Sequence, residues 1–311
     1  MTLPFFIMSA TPFTKTGALD EDAFRLLLGR MIDAKLGLYL GSAGCGEGHA
    51  LTMAELDRVY RIGVEEARGK VEAHANIPEQ HTADGTIEHA KLAIAAGIQV
   101  VHLYTVEGRH GMKPTDDELM AYFDDVFTEV KHPVAIAMNP LMGYIPRPAM
   151  IAKICQKHRQ IVTVRLTGTS DAYLIELMDR IGRQDINYYV RLGGSMNALT
   201  LGRTGVFGTK ASIIPKTFQR YHDLFEQRKY EEMAEVYAQL IRFNEYIQAW
   251  NPGSPRWIKM AMKVLKLPGG EGGPRKPYLL PPADELDRFR DGLLKLGIPE
   301  IDEIVRADGK F

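Results

Sequence analysis

Cysteine is scarce: Cys45 and Cys155 are the only two in 311 residues. Two thiols make no disulfide framework, and their spacing is not that of a zinc knuckle, so a stapled secreted module and a small zinc fold are both excluded. An excess of either charge is also lacking. Lys and Arg number 38 against 39 Asp and Glu, a formal net charge of −1, and no basic stripe or long like-charge run breaks the balance. Nucleic acid and membrane surfaces are therefore not expected partners. No apolar run approaches the length of a bilayer span. The opening MTLPFFIMSATPF has neither the basic n-region nor the long apolar core of a signal peptide. A soluble, cytoplasmic protein is expected. Low-complexity tracts are missing too.

What is present is ordinary globular composition, 45% hydrophobic and 25% charged, enough for one large α/β domain or two smaller ones. Short apolar runs recur at 5–10, 36–41, 71–76, 99–105, 134–139, 161–167, 187–193 and 204–209. Between them lie amphipathic stretches such as DEDAFRLLLGRMIDAK, acidic at its start and basic at its end, and TMAELDRVYRIGVEEA, opened by a Thr–x–x–Glu capping box at Thr52 and Glu55. This rhythm predicts a (β/α)8 TIM barrel, with a doubly wound open sheet as the alternative. After the last run the chain turns helical. The expected division is a barrel over 1–215, a C-terminal helical extension over 216–297 and a short tail over 298–311.

In such a barrel chemistry sits at the C-terminal ends of the strands. That rule selects Thr11, the loop GSAGCGEGH (41–49), His74 and Asn76, Glu107, Asn139, Arg165 and Arg191. The glycines of the loop let backbone N–H groups approach a carboxylate or phosphate, although the spacing fits neither a Walker loop nor a dinucleotide fingerprint; a flexible turn is the plainer reading. His74 is a candidate general acid or base, or else a core histidine. His49, His74, His102, Glu47 and Glu107 lack ligand spacing, so no metal is expected. The sharpest feature is IVTVRLTGT (161–169). Alternation puts Val162, Val164 and Leu166 on one face and Thr163, Arg165 and Thr167 on the other. A buried guanidinium needs an anion or several acceptors. Its partner is either Glu47 or Glu107, as a structural ion pair, or a substrate carboxylate gripped in two bonds.

Several segments, in order, resemble the dihydrodipicolinate synthase/N-acetylneuraminate lyase family of barrels. They are TPFTKTGALDEDAF, GLYLGSAGCGEGHALT, KPTDDELMAYF, PVAIAMNP, VTVRLTGTSD, GRTGVFGTKASIIP and PRKPYLLPPADEL. GLYLGSAGCGEGHALT is similar to the family's Gly-Ser/Thr-Thr-Gly-Glu loop, with about one extra residue near Cys45. The resemblance implies a homo-oligomer, tetramer or dimer. It also implies a sixth-strand lysine that forms a Schiff base with pyruvate or another 2-oxo acid, and a proton-relaying tyrosine in a YNxP motif. This sequence departs at both positions, with Arg165 for the lysine and Met138 for the tyrosine, and VEGRHGM (106–112) replaces the aromatic pair after the fourth strand.

A guanidinium stays charged and is a poor nucleophile, and methionine carries no proton. The expectation is thus a lyase-scaffold enzyme working on a small oxo acid or other carbonyl compound without a Schiff base and without a cofactor. Its catalytic candidates are Arg165, His74 and Glu107. Its substrate-binding candidates are Thr11, Ser42, Ala43, Gly44, Met138, Asn139 and Phe207. Lys210 is the one nearby amine and reads as a surface lysine. A catalytically silent binding barrel and a conventional aldolase are the alternatives.

Overall fold

All eight apolar runs form strands, from three residues in the first to six in the sixth. The computed structural model describes residues 3–108, 111–250 and 256–310. The strands are β1 (Phe6–Met8), β2 (Gly37–Leu40), β3 (Ala73–Asn76), β4 (Val100–Tyr104), β5 (Val134–Met138), β6 (Ile161–Leu166), β7 (Asn187–Arg191) and β8 (Thr204–Gly208). They close in chain order into a parallel barrel, which removes the open-sheet alternative. Helices follow the strands in turn: α1 (Glu21–Asp33), α2 (Met53–Ala67), α3 (Ala83–Ala95), α4 (Asp116–Glu129), α5 (Pro148–Lys157), α6 (Asp171–Ile181), α7 (Ser195–Thr200) and α8 (Pro215–Glu226). Then come α9 (Tyr230–Trp250), α10 (Arg256–Val264), α11 (Ala283–Lys295) and α12 (Pro299–Ala307). Among the described residues no helix is long and apolar enough to cross a membrane. Arg109 and His110, within the segment 106–112, lie outside the described residues.

Local chemistry sets the helix starts. Thr52 and Glu55 close the expected capping box on α2, and Thr115 and Glu118 close a second on α4. Asp20, Thr82 and Ser170 cap α1, α3 and α6 with a single side-chain oxygen each, satisfying amides that the helix itself cannot.

The residues group into two compact units: Ala73–Phe207, and Phe5–Glu72 with the residues from Gly208 onward. In the first unit the register aligns Asn76, His102, Ala135 and Thr163 in one row. A second row aligns Tyr104, Ala137, Arg165, Tyr189 and Gly205. Paired residues of parallel strands point to the same side, so each row shares a face. Position 205 must be glycine, because a Cβ there would lie 2.4 Å from the Tyr189 ring.

In the second unit the ring of Phe6 stacks on that of Tyr39 at 4.7 Å. The expected tail beyond Gly297 contains α12, with Ile301 and Ile304 buried on one face. Its Glu300 is also buried and accepts from the N–H of Lys216 (3.1 Å), the N–H of Thr217 (2.7 Å) and Thr217 Oγ1 (2.7 Å), the first turn of α8. Pro215 occupies the first position of α8, so these are amides that lack an intrahelical partner. Burial pushes the Glu300 carboxyl upward, against those hydrogen bonds. Glu300→Ala is expected to destabilise the protein by about 1–3 kcal/mol, and Glu300→Gln by less, read from the urea unfolding midpoint.

Candidate active site

Arg165 follows from β6's alternation. It lies on the face of Thr163 and, at 1% exposure, is among the largest fully buried side chains. Its Nη2 donates to Tyr104 Oη at 2.7 Å. Its Cζ lies 5.2 Å from the ring centroids of both Tyr104 and Phe207. The guanidinium thus lies near two aromatic rings with one arm fixed by a phenol, which offsets part of its desolvation and orients the fork. Tyr104 packs in turn against Ala137 and Met142, with Tyr144 beside them. Of the predicted residues, Phe207 is brought to Arg165. Tyr104 was missed, because an aromatic in an apolar strand reads as core filling.

Glu107 is half-buried and its Oε2 lies 3.4 Å from His81 Nε2. Glu47 is bound to groups of the second unit, described below.

His74 is buried on β3, its Nδ1 3.1 Å from Nε2 of the buried His102. Burial first, then the charge of Arg165 and the presence of His74, hold the His102 pKa well below the ordinary imidazole value, so this ring is neutral near pH 7. Asn76 lies on the same face as His74, in register with His102. Among the described residues no group of three or more His, Cys, Asp or Glu side chains converges as a metal site.

Two substrate-binding expectations change. Met138 pairs with Leu166, so alternation places it on the face opposite Arg165, where Tyr173 Oη of α6 approaches its Sδ at 3.2 Å. It is a packing residue against a helix. Asn139 Oδ1 accepts from Leu141 N at 3.1 Å and caps a short turn.

In the second unit the glycine loop folds on itself. Ser42 Oγ accepts from Gly46 N (3.1 Å) and Ser42 O from Gly48 N (3.0 Å), while Gly44 is exposed and Ala43 half-buried. Glu47, at φ 50°, turns its carboxylate inward. There Oε1 lies 3.3 Å from Lys259 Nζ, and Oε2 accepts from Arg275 N at 2.9 Å. Lys259, at 0% exposure on α10, also donates to Thr11 O at 2.5 Å and lies 4.6 Å from the Phe13 ring centroid. Burial lowers its pKa, with Glu47 opposing the shift. Sequence reasoning missed Lys259, since a lysine in RWIKMAMKV reads as the wet side of an amphipathic helix. Lys210 is likewise not a surface residue: it is 5% exposed and donates to Gln248 Oε1 at 2.8 Å.

The profile of the Dihydrodipicolinate synthetase family matches residues 5–293. The chain belongs to that family. A 4-hydroxy-tetrahydrodipicolinate synthase of Methanococcus maripaludis is 24% identical over 262 residues, 84% of this chain and 88% of the relative. Among solved structures, dihydrodipicolinate synthase from Aquifex aeolicus aligns with a TM-score of 0.84 at 18% identity, covering 96% of this chain and 99% of that one. An E. coli prophage protein of the dihydrodipicolinic acid synthase family, solved in complex with pyruvate, aligns at 0.83 with 20% identity, covering 94% and 98%. The family match spans the barrel and the C-terminal helices into α11.

In this member the loop is anchored by a buried ion pair. Lys259→Met leaves Glu47 buried against a thioether, and is expected to cost about 3–5 kcal/mol in urea unfolding; adding Glu47→Leu should restore part of that loss.

Proposed function

We propose that the protein is a lyase of the dihydrodipicolinate synthetase family that acts on a small carbonyl or carboxylate compound with no imine at residue 165. The aldolase-type lyase scaffold is the family's. The observation that carries it is the arginine, standing where the resemblance puts the imine-forming lysine and held by Tyr104 and Phe207. A guanidinium does not deprotonate near neutrality, so it stabilises charge instead of attacking. Arg165 binds the carboxylate or carbonyl oxygen of the substrate and stabilises negative charge as it develops there, during C–C or C–O bond formation or cleavage, hydration or cyclisation. Tyr104, whose hydroxyl already meets the guanidinium, is the proton-bearing group best placed beside it. His74 lies against His102, and Glu107 faces His81, so both rank behind it.

One observation favours a second reading. Lys259 and Lys210 are buried amines, and burial biases Lys259 toward the neutral, nucleophilic form. A conventional aldolase with its imine moved to either lysine is the rival. Borohydride reduction in the presence of pyruvate, read by mass spectrometry, separates the two. The expected result is an unmodified chain; a stable adduct on Lys259, Lys210 or any other lysine overturns the non-covalent reading. Arg165→Lys, which loses the planar fork, is expected to lower activity by about tenfold or more while the melting temperature barely moves. Full activity of Arg165→Ala on the true substrate would show that Arg165 takes no part.

A further inference from the structure

Asn76 ends β3 at 0% exposure. Neither its Oδ1 nor its Nδ2 has a hydrogen-bond partner among the described residues. A buried amide with both ends unmatched is destabilising, and a native fold keeps few such groups without a use. Its surroundings indicate one. Asn76 shares a face and a row with His102, Ala135 and Thr163. The row of Tyr104, Ala137 and Arg165 is two residues further along the strands, about 6.6 Å toward their C-terminal ends. Strand β5 places only methyl groups, from Ala135 and Ala137, on this face in both rows. The polar groups of these two rows therefore come from β3, β4, β6 and, through Tyr189, β7.

We infer that Asn76 reads a hydroxyl group of the substrate, making it a specificity-determining residue and the substrate a hydroxylated small oxo acid or carbonyl compound. This rests on the reading of Arg165 as the oxygen-binding group. The chemistry is set by the amide. A carboxylate or carbonyl oxygen accepts only and would satisfy Nδ2 alone, whereas a hydroxyl donates to Oδ1 and accepts from Nδ2. A molecule that holds its carboxylate or carbonyl on Arg165 would present its hydroxyl toward the row of Asn76. A substrate lacking it leaves the amide unmatched, and such a penalty discriminates strongly between analogues.

Calorimetric titration of the full-length protein with two matched pairs, pyruvate against hydroxypyruvate and 2-oxobutyrate against 4-hydroxy-2-oxobutyrate, tests this. The quantity read is the ratio of Kd values within a pair. In the unmodified protein the hydroxylated member of at least one pair is expected to bind about tenfold tighter. In Asn76→Leu, and independently in Asn76→Ala, that ratio should fall to near one. Arg165→Ala should weaken both members while leaving the ratio in place. No preference in either pair, or a preference that survives both Asn76 substitutions, overturns the inference and leaves the Arg165 reading standing; in that case the amide holds a buried water or nothing. Binding of neither pair, or binding unaffected by Arg165→Ala, overturns the Arg165 reading and this inference with it.

Discussion

A charge that cannot be neutralised, placed in the interior of a barrel, constrains whatever surrounds it. A lysine or a carboxylate in the same place could shed or gain a proton and escape the cost of burial. Arg165 has no such option. Its environment must stay electron-rich, and the groups that supply this include the Tyr104 hydroxyl and the rings of Tyr104 and Phe207. The same charge reaches beyond its contacts, since it helps hold His102 in the neutral form. One residue therefore adds to what burial does to a neighbouring imidazole, and limits the chemistry open to the site.

The second unit solves burial differently. There a lysine and a glutamate are both nearly inaccessible and face each other, with the amide of Arg275 and the carbonyl of Thr11 completing the arrangement. The guanidinium of Arg275 grips Glu55 and the carbonyls of Gly17 and Ala50, and lies 4.4 Å from the Phe13 ring centroid. Glu300 plays a similar part for α8. In each case a charged side chain remote in sequence satisfies backbone groups that local structure leaves open. A glycine-rich loop and a helix with proline at its first position are then held without stiffening their own sequences.

The barrel was legible because its signals are local and repeated. Eight apolar runs, the Thr52–Glu55 box and the alternation in IVTVRLTGT each follow from one or two residues of context, and they agree. Arg165 was found inward for the same reason. The partners were not legible. Tyr104 and His102 look like ordinary strand residues until register sets one beside Arg165 and the other beside Asn76. Lys259 looks solvated until the fold places Glu47 against it. Met138 matched a motif position, but a motif does not state which face of a strand a residue occupies, and the pairing with Leu166 turned it outward. The helix α12 was missed because nine residues with only two buried apolar positions, Ile301 and Ile304, carry little periodic signal.

The contact between His74 and His102 has a consequence for where hydrogens reside. Because the His102 ring is neutral, its two nitrogens carry a single hydrogen between them. If Nε2 accepts from His74, the hydrogen of His102 must be on Nδ1; if Nε2 donates, Nδ1 holds a lone pair and His74 must accept at its own Nδ1. The tautomers of the two imidazoles are therefore locked together. A proton placed on the accepting nitrogen of this contact obliges the donating ring to move its own hydrogen to its far nitrogen.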